Sequence, residues 1–111
     1  MGALLYGTPA TSHDLDDRAL AHLQVVIINK FRRDEAFAFQ IDASSALGTG
    51  RRTLWLHPAI PVRFSFRGSR APAINPAWVR VLMAQADSGR GLSLVPEPVQ
   101  QRASDDQALT A

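Results

Sequence analysis

The sequence contains no cysteine. Disulfide frameworks, thiolate metal sites and cysteine nucleophiles are therefore excluded, and a reducing, cytoplasmic setting is expected. No apolar run approaches the ~20 residues needed to cross a bilayer, so no membrane partner is expected. Residues Met1 to Gly7 lack the basic start of a secretory signal. There is a single lysine, Lys30, against eleven arginines. From Ala43 to Ala86 there is no acidic residue, yet that stretch carries Arg51, Arg52, Arg63, Arg67, Arg70 and Arg80. The acids collect around the first helical segment (Asp14, Asp16, Asp17, Asp34, Glu35, Asp42) and after Ala86. The net charge is only +2, so distribution carries more information than the sum. An arginine excess over lysine also follows from a GC-rich genome, so the bias alone assigns no ligand.

What remains is the composition of an ordinary globular domain. The chain has 111 residues, 46% hydrophobic and 20% charged, enough for one modest core. A single α+β domain over residues 1–98 is expected, followed by a polar, aperiodic and disordered tail from 99 to 111. Ala3 to Tyr6 reads as a short strand ending at Gly7, and Thr8 to Ser12 as a loop. A helix should run from Leu15 to Arg32 with Asp14 as its N-cap, because Leu20, Leu23, Ile27 and Phe31 recur at helical spacing. His22 falls at its surface or core edge. The β-branched run Val25 to Ile28 weakens the local helix propensity.

Three alternating segments follow: Ala36 to Asp42, Arg52 to His57 and Val62 to Arg67. No helix intervenes, so an antiparallel meander is expected. Ala43 to Gly50 reads as a loop of small residues. Asn75-Pro76 opens a second helix, with Asn75 as N-cap and Pro76 at the first helical position. Gly91 to Val95 is a last strand. The order β-α-β-β-β-α-β makes a two-layer sandwich: two helices on one face of a mostly antiparallel sheet, with Phe37, Phe39, Leu54, Leu56, Phe64 and Phe66 buried between.

The opposite sheet face is the candidate functional surface. Alternation puts Gln40, Trp55, His57, Arg63, Ser65 and Arg67 there, with Arg51, Arg52 and Arg70 extending a positive rim. Aromatic rings and guanidinium groups on a sheet suit single-stranded nucleic acid, where bases stack and arginines neutralise phosphates. The same residue types are enriched in protein interfaces, so a homodimer or another protein partner is the alternative. Catalytic signals are weak. His13, His22 and His57 have no second ligand at metal spacing, and no cofactor motif is present. His57 beside Pro58 is the one candidate general base, which leaves a small-molecule enzyme as a third reading. Gly48-Thr49-Gly50-Arg51-Arg52 lacks the phosphate-loop ending of glycine, lysine and a hydroxyl residue.

Several stretches carry a resemblance: Tyr6-Gly7, Asp16 to Gln24, Trp55-Leu56-His57-Pro58, Gly68-Ser69-Arg70, Gly91-Leu92 and Pro96-Glu97-Pro98. Over residues 1 to about 98 the chain resembles a group of short actinobacterial proteins of unknown function, often labelled "ATP-dependent DNA ligase" in genomes. A ligase nucleophile is a lysine in a Lys-x-Asp-Gly motif. Here Lys30 is followed by Phe31, Arg32 and Arg33, so the resemblance implies no autonomous ligase activity. What it implies is a non-catalytic, DNA-associated accessory role.

Overall fold

The computed structural model of the chain describes residues 1–41 and 51–99. It contains two helices and two three-stranded sheets. The strands are β1 (Gly2–Tyr6), β2 (Thr11–Leu15), β3 (Phe37–Ile41), β4 (Arg52–Leu56), β5 (Val62–Ser65) and β6 (Leu92–Ser93). The helices are α1 (Asp17–Arg32) and α2 (Pro76–Asp87). One sheet has the order β2-β1-β5 and the other β4-β3-β6. All pairings are antiparallel except β3 with β6. The α+β class and the expected element order hold, with one strand, β2, added between β1 and α1.

That strand replaces the expected loop over Thr8 to Ser12. Gly7, at φ 91°, turns the chain back so that Gly2 pairs with Leu15 and Tyr6 with Thr11. His13 and Leu15 point inward; Ser12 and Asp14 point out. The expected N-cap moves accordingly. Asp14 lies in β2, and Asp16 caps α1 by accepting hydrogen bonds from the N–H groups of Arg18 and Ala19. The β-branched run leaves α1 unbroken, because Val26 and Ile27 gain full burial. At its C-terminal end Asp34 adopts φ 60°, a left-handed conformation that aspartate tolerates, and Glu35 folds back toward Lys30.

The second correction concerns the meander. β3 and β4 form a hairpin, but β5 pairs with β1 rather than β4. The Gly7 N–H donates to the Pro61 carbonyl at 3.0 Å, which delivers β5 to the edge of β1. Leu4 then faces Phe64 and Tyr6 faces Val62 on one side of the sheet. The last strand is shorter than expected, at two residues, and Leu92 lies beside Phe39 in parallel register. Gly91 makes that approach possible: at φ 87°, any Cβ would stand 2.7 Å from the Ala38 carbonyl oxygen. The expected loop over Ala43 to Gly50 lies outside the described residues, as does the tail apart from Val99.

The core is continuous across both sheets. Leu4, Leu20, Leu23, Val26, Ile27, Phe39, Leu56, Leu82 and Leu92 are all fully buried. Of the phenylalanines expected inside, Phe37 and Phe39 are buried, while Phe64 and Phe66 are half-buried. One hydroxyl joins the sheets. Tyr6, at the end of β1, donates to the Trp55 carbonyl of β4 and accepts from the His57 N–H at 3.0 Å.

A buried polar lock joins the helices to the C-terminal segment. His22 is fully buried, which corrects the surface or core-edge expectation. Its Nε2 accepts the Asn75 backbone N–H at 2.8 Å, so Nδ1 carries the ring hydrogen and donates to the Arg18 carbonyl at 2.7 Å. Trp78 stacks on His22 at 4.5 Å between centroids, and its indole N–H donates to the Val95 carbonyl at 3.0 Å. Asn75 caps α2 with its side-chain oxygen and donates through Nδ2 to Glu97 and Pro98. Arg18 grips Glu97 with two hydrogen bonds of 2.8 and 2.6 Å. Those bonds from Arg18, then the one from Asn75, hold the Glu97 carboxyl at about 2.

Two outcomes follow from these joints. Tyr6→Phe should destabilise by about 1–2 kcal/mol, because it strands the His57 N–H and the Trp55 carbonyl; urea unfolding measures it. The Glu97 carboxyl has a depressed folded-state pKa, so its contribution is present above the ordinary value of 4.5 and is lost as pH falls toward about 2. Acidification through that window should release residues 94–98, read by hydrogen exchange at the Trp78 indole, and Glu97→Gln should remove the transition.

Candidate functional site

The outer side of β4-β3-β6 carries exposed side chains, as does the Ser12, Asp14, Arg63 and Ser65 side of β2-β1-β5. Register places Trp55 opposite Ala38, Thr53 opposite Gln40, and Gln40 beside Ser93. Strand alternation puts these five on one side and sends Phe37, Phe39, Leu54, Leu56 and Leu92 inward. Trp55 is 59% exposed, against 5% for Trp78. Arg51 is in phase with Thr53 and Trp55. Arg52 falls in the opposite phase, across from Ile41 at the strand's end, and is nevertheless exposed. Gln40, Arg51, Arg52 and Thr53 together line a groove of about 470 Å³. Gln40 is anchored by donating its Nε2 to the Arg90 carbonyl at 2.6 Å.

The nine candidate residues do not share this face. Gln40, Arg51 and Trp55 do, with Arg52 at its rim. His57 follows β4, where its Nδ1 accepts the Ala59 N–H at 3.0 Å and shapes the turn to β5. Its ring is exposed and makes no hydrogen bond to a carboxylate or hydroxyl among the described residues. Arg63 and Ser65 stand on β5, in the other sheet, alongside β1. Arg67 and Arg70 lie beyond β5 on an irregular segment that crosses to α2. The single platform expected from a meander is therefore divided, because β5 has a different neighbour.

At the Trp55 end lies a cluster that no sequence motif marks. Lys30, 5% exposed, places its ammonium 2.6 Å from Asp87, 2.8 Å from Glu35 and 5.7 Å from the centre of the Phe37 ring. Burial pulls its pKa down, but the hydrogen bonds it donates to Asp87 and Glu35 outweigh that and leave it raised. Lys30 in turn holds the Asp87 carboxyl below its ordinary range. These three side chains, Trp55 and Ala38 border a groove of about 420 Å³. The only sequence signal was that Lys30 is the sole lysine. At the far end of β4, the buried His13 has its pKa lowered by desolvation and by the charge of Arg52. Its Nε2 meets the Thr11 hydroxyl at 2.9 Å, and its Nδ1 has no partner among the described residues. No group of three or more His, Asp or Glu side chains is placed to hold a metal ion among the described residues. No helix there is long and apolar enough to cross a membrane.

A family model described as a domain of unknown function, DUF7882, matches residues 1–97. No curated protein and no solved structure matches the chain.

The two tryptophans should separate function from stability. Trp55→Ala should shift unfolding free energy by no more than about 0.5 kcal/mol, since the ring is exposed. Trp78→Ala should cost about 3–5 kcal/mol, as for other buried aromatic rings. Paired urea titrations measure both.

Proposed function

The chain belongs to this family, a domain of unknown function, and on that premise we propose that it binds single-stranded nucleic acid across the outer face of β4-β3-β6. The observation that carries the reading is Trp55: a large ring, 59% exposed, on a sheet face whose other end is marked by Arg51 and Arg52. A base stacks on the indole, and Gln40 and Thr53 offer hydrogen bonds beside it. The two arginines take phosphates at the far end. The similarity to short actinobacterial proteins labelled as DNA ligases supports a DNA-associated accessory role, with no ligase chemistry of its own.

A second reading has its own observation. Glu35 and Asp87 flank Trp55 and repel phosphate, and an aromatic ring beside carboxylates suits a basic side chain of a protein partner or of a second copy.

Fluorescence anisotropy of labelled single-stranded DNA and RNA across a salt series decides between them. The nucleic-acid reading expects log K to fall with log salt by roughly 0.7 per phosphate neutralised. Arg51→Ala and Arg52→Ala should each remove about one such contact, and Trp55→Ala should weaken binding by about 1–3 kcal/mol. Binding absent at low salt, or indifferent to Trp55→Ala, overturns it. The second reading expects a concentration-dependent dimer in sedimentation that Trp55→Ala weakens, or binding of basic peptides with no salt-dependent nucleic-acid signal.

A further inference from the structure

A second concave site lies between α1 and the segment that follows β5. Residues 66–74 form an irregular strap that crosses α1. Three α1 side chains pin it. The Asp17 carboxylate accepts the backbone N–H groups of Arg67, at 3.1 and 3.2 Å, and Gly68, at 2.8 Å. Arg18 Nη1 donates to the Ala73 carbonyl at 2.8 Å. His22 accepts the N–H of Asn75, just past the strap, at 2.8 Å. Irregular segments normally gain order from packing of their own side chains. This one packs Phe66 against the core and is held as well by the helix beneath it, with a fully buried imidazole and a buried carboxamide that are both hydrogen-bonded.

Between the pins a cleft of about 380 Å³ remains, within the range of about 300–1,000 Å³ for small-molecule sites. Its walls are mostly apolar, with Ala21 and Val25 from the helix and Phe66, Pro72 and Ile74 from the strap, and Gln24 and Ser69 as the uncharged polar side chains. Ile28, 43% exposed, continues the same stripe one turn further along α1. One charged group lines the cleft, Arg70, which is exposed and has no acidic partner among the described residues. Asp17, the α1 acid that meets the strap, is already committed to the backbone N–H groups of Arg67 and Gly68.

We infer that this cleft binds a small carboxylate with an apolar body, whose hydrocarbon part lies between α1 and the strap and whose carboxylate pairs with Arg70. A mostly apolar cleft with a single unpaired guanidinium at its edge matches that ligand in shape and charge. Arginine receives a carboxylate through two parallel N–H bonds, which fixes orientation as well as adding affinity. Pinned walls reduce the ordering that binding requires. The site shares none of its lining residues with the Trp55 face and does not rest on the nucleic-acid reading.

Octanoate and its neutral counterpart octanol are the probes, titrated into the full chain and followed by amide nitrogen–proton correlation spectra. Saturable octanoate shifts should centre on Val25, Gly68 to Arg70 and Ile74, and octanol should bind at least about tenfold more weakly, the equivalent of one charge-assisted contact. Arg70→Gln, a surface change that leaves the pins intact, should bring octanoate down to the octanol level. Val25→Phe, which fills the cleft from the helix side, should abolish the shifts of both. Equal affinity for the two probes overturns the inference, as do shifts centred elsewhere. Octanoate binding that survives Arg70→Gln, or no saturable shift at millimolar concentration, also overturns it.

Discussion

One backbone N–H in a buried imidazole's reach organises much of this molecule. His22 sits in the middle of α1 with no exposure to water. An unpartnered ring nitrogen there costs free energy, and both nitrogens of His22 find partners. Nδ1 is satisfied by the helix's own carbonyl four residues back, so Nε2 must be met from outside. Asn75 meets it, and that fixes where the strap ends and where α2 begins. Once Asn75 is placed, its side chain reaches Glu97, Glu97 reaches Arg18, and Trp78 lies on the imidazole. The strap, both helices and the C-terminal segment are thus tied to a single point. A hydrophobic contact at the same place would bury as much surface without specifying which residue of the strap arrives there.

Most elements could be read from the sequence because their signals are local. Phe37, Phe39 and Ile41 alternate, Asn75-Pro76 carries cap and first-turn chemistry in two residues, and α1 keeps its apolar stripe through a β-branched run. What failed was non-local. Thr11 to Leu15 has only two inward positions, one of them a histidine, and becomes a strand because β1 is there to pair with it. The partner of β5 was decided by the bond from Gly7 to Pro61, joining residues fifty-four positions apart, which no periodicity records. His22 looked peripheral because its burial depends on Asn75 and Trp78.

The candidate site divides along the same line. Alternation states which side of its own strand a residue takes, and Gln40 and Trp55 do share a side of the β3-β4 hairpin. It cannot state which strand lies next, so Arg63 and Ser65 were expected beside the wrong neighbour, and Arg67 on that face and Arg70 at its rim lie instead on the segment beyond β5. Lys30, Glu35 and Asp87 were invisible as a group. Two sit at the end of α1 and one at the end of α2, and only the common direction of the helices brings them together.

Charge is where sequence and structure inform each other most. A net of +2 suggests little, but most of the described acids are engaged inside the fold. Asp16 caps α1, Asp17 pins the strap, Glu97 holds Arg18, and Glu35 and Asp87 share Lys30. Asp14 and Asp34 make no such contact. The arginines of the acid-free stretch face the reverse situation: Arg51, Arg52, Arg63, Arg67, Arg70 and Arg80 form no ion pair among the described residues. Among the described residues, a nearly neutral chain therefore presents unpaired positive charge and only two carboxylates, Asp14 and Asp34, outside such contacts. Exposed charges are screened within about 10 Å at ordinary ionic strength, so each arginine acts on its immediate surroundings rather than through a summed field. That locality makes the neighbours of each arginine decisive: Arg51 and Arg52 share a groove with Gln40 and Thr53, and Arg70 borders a mostly apolar cleft.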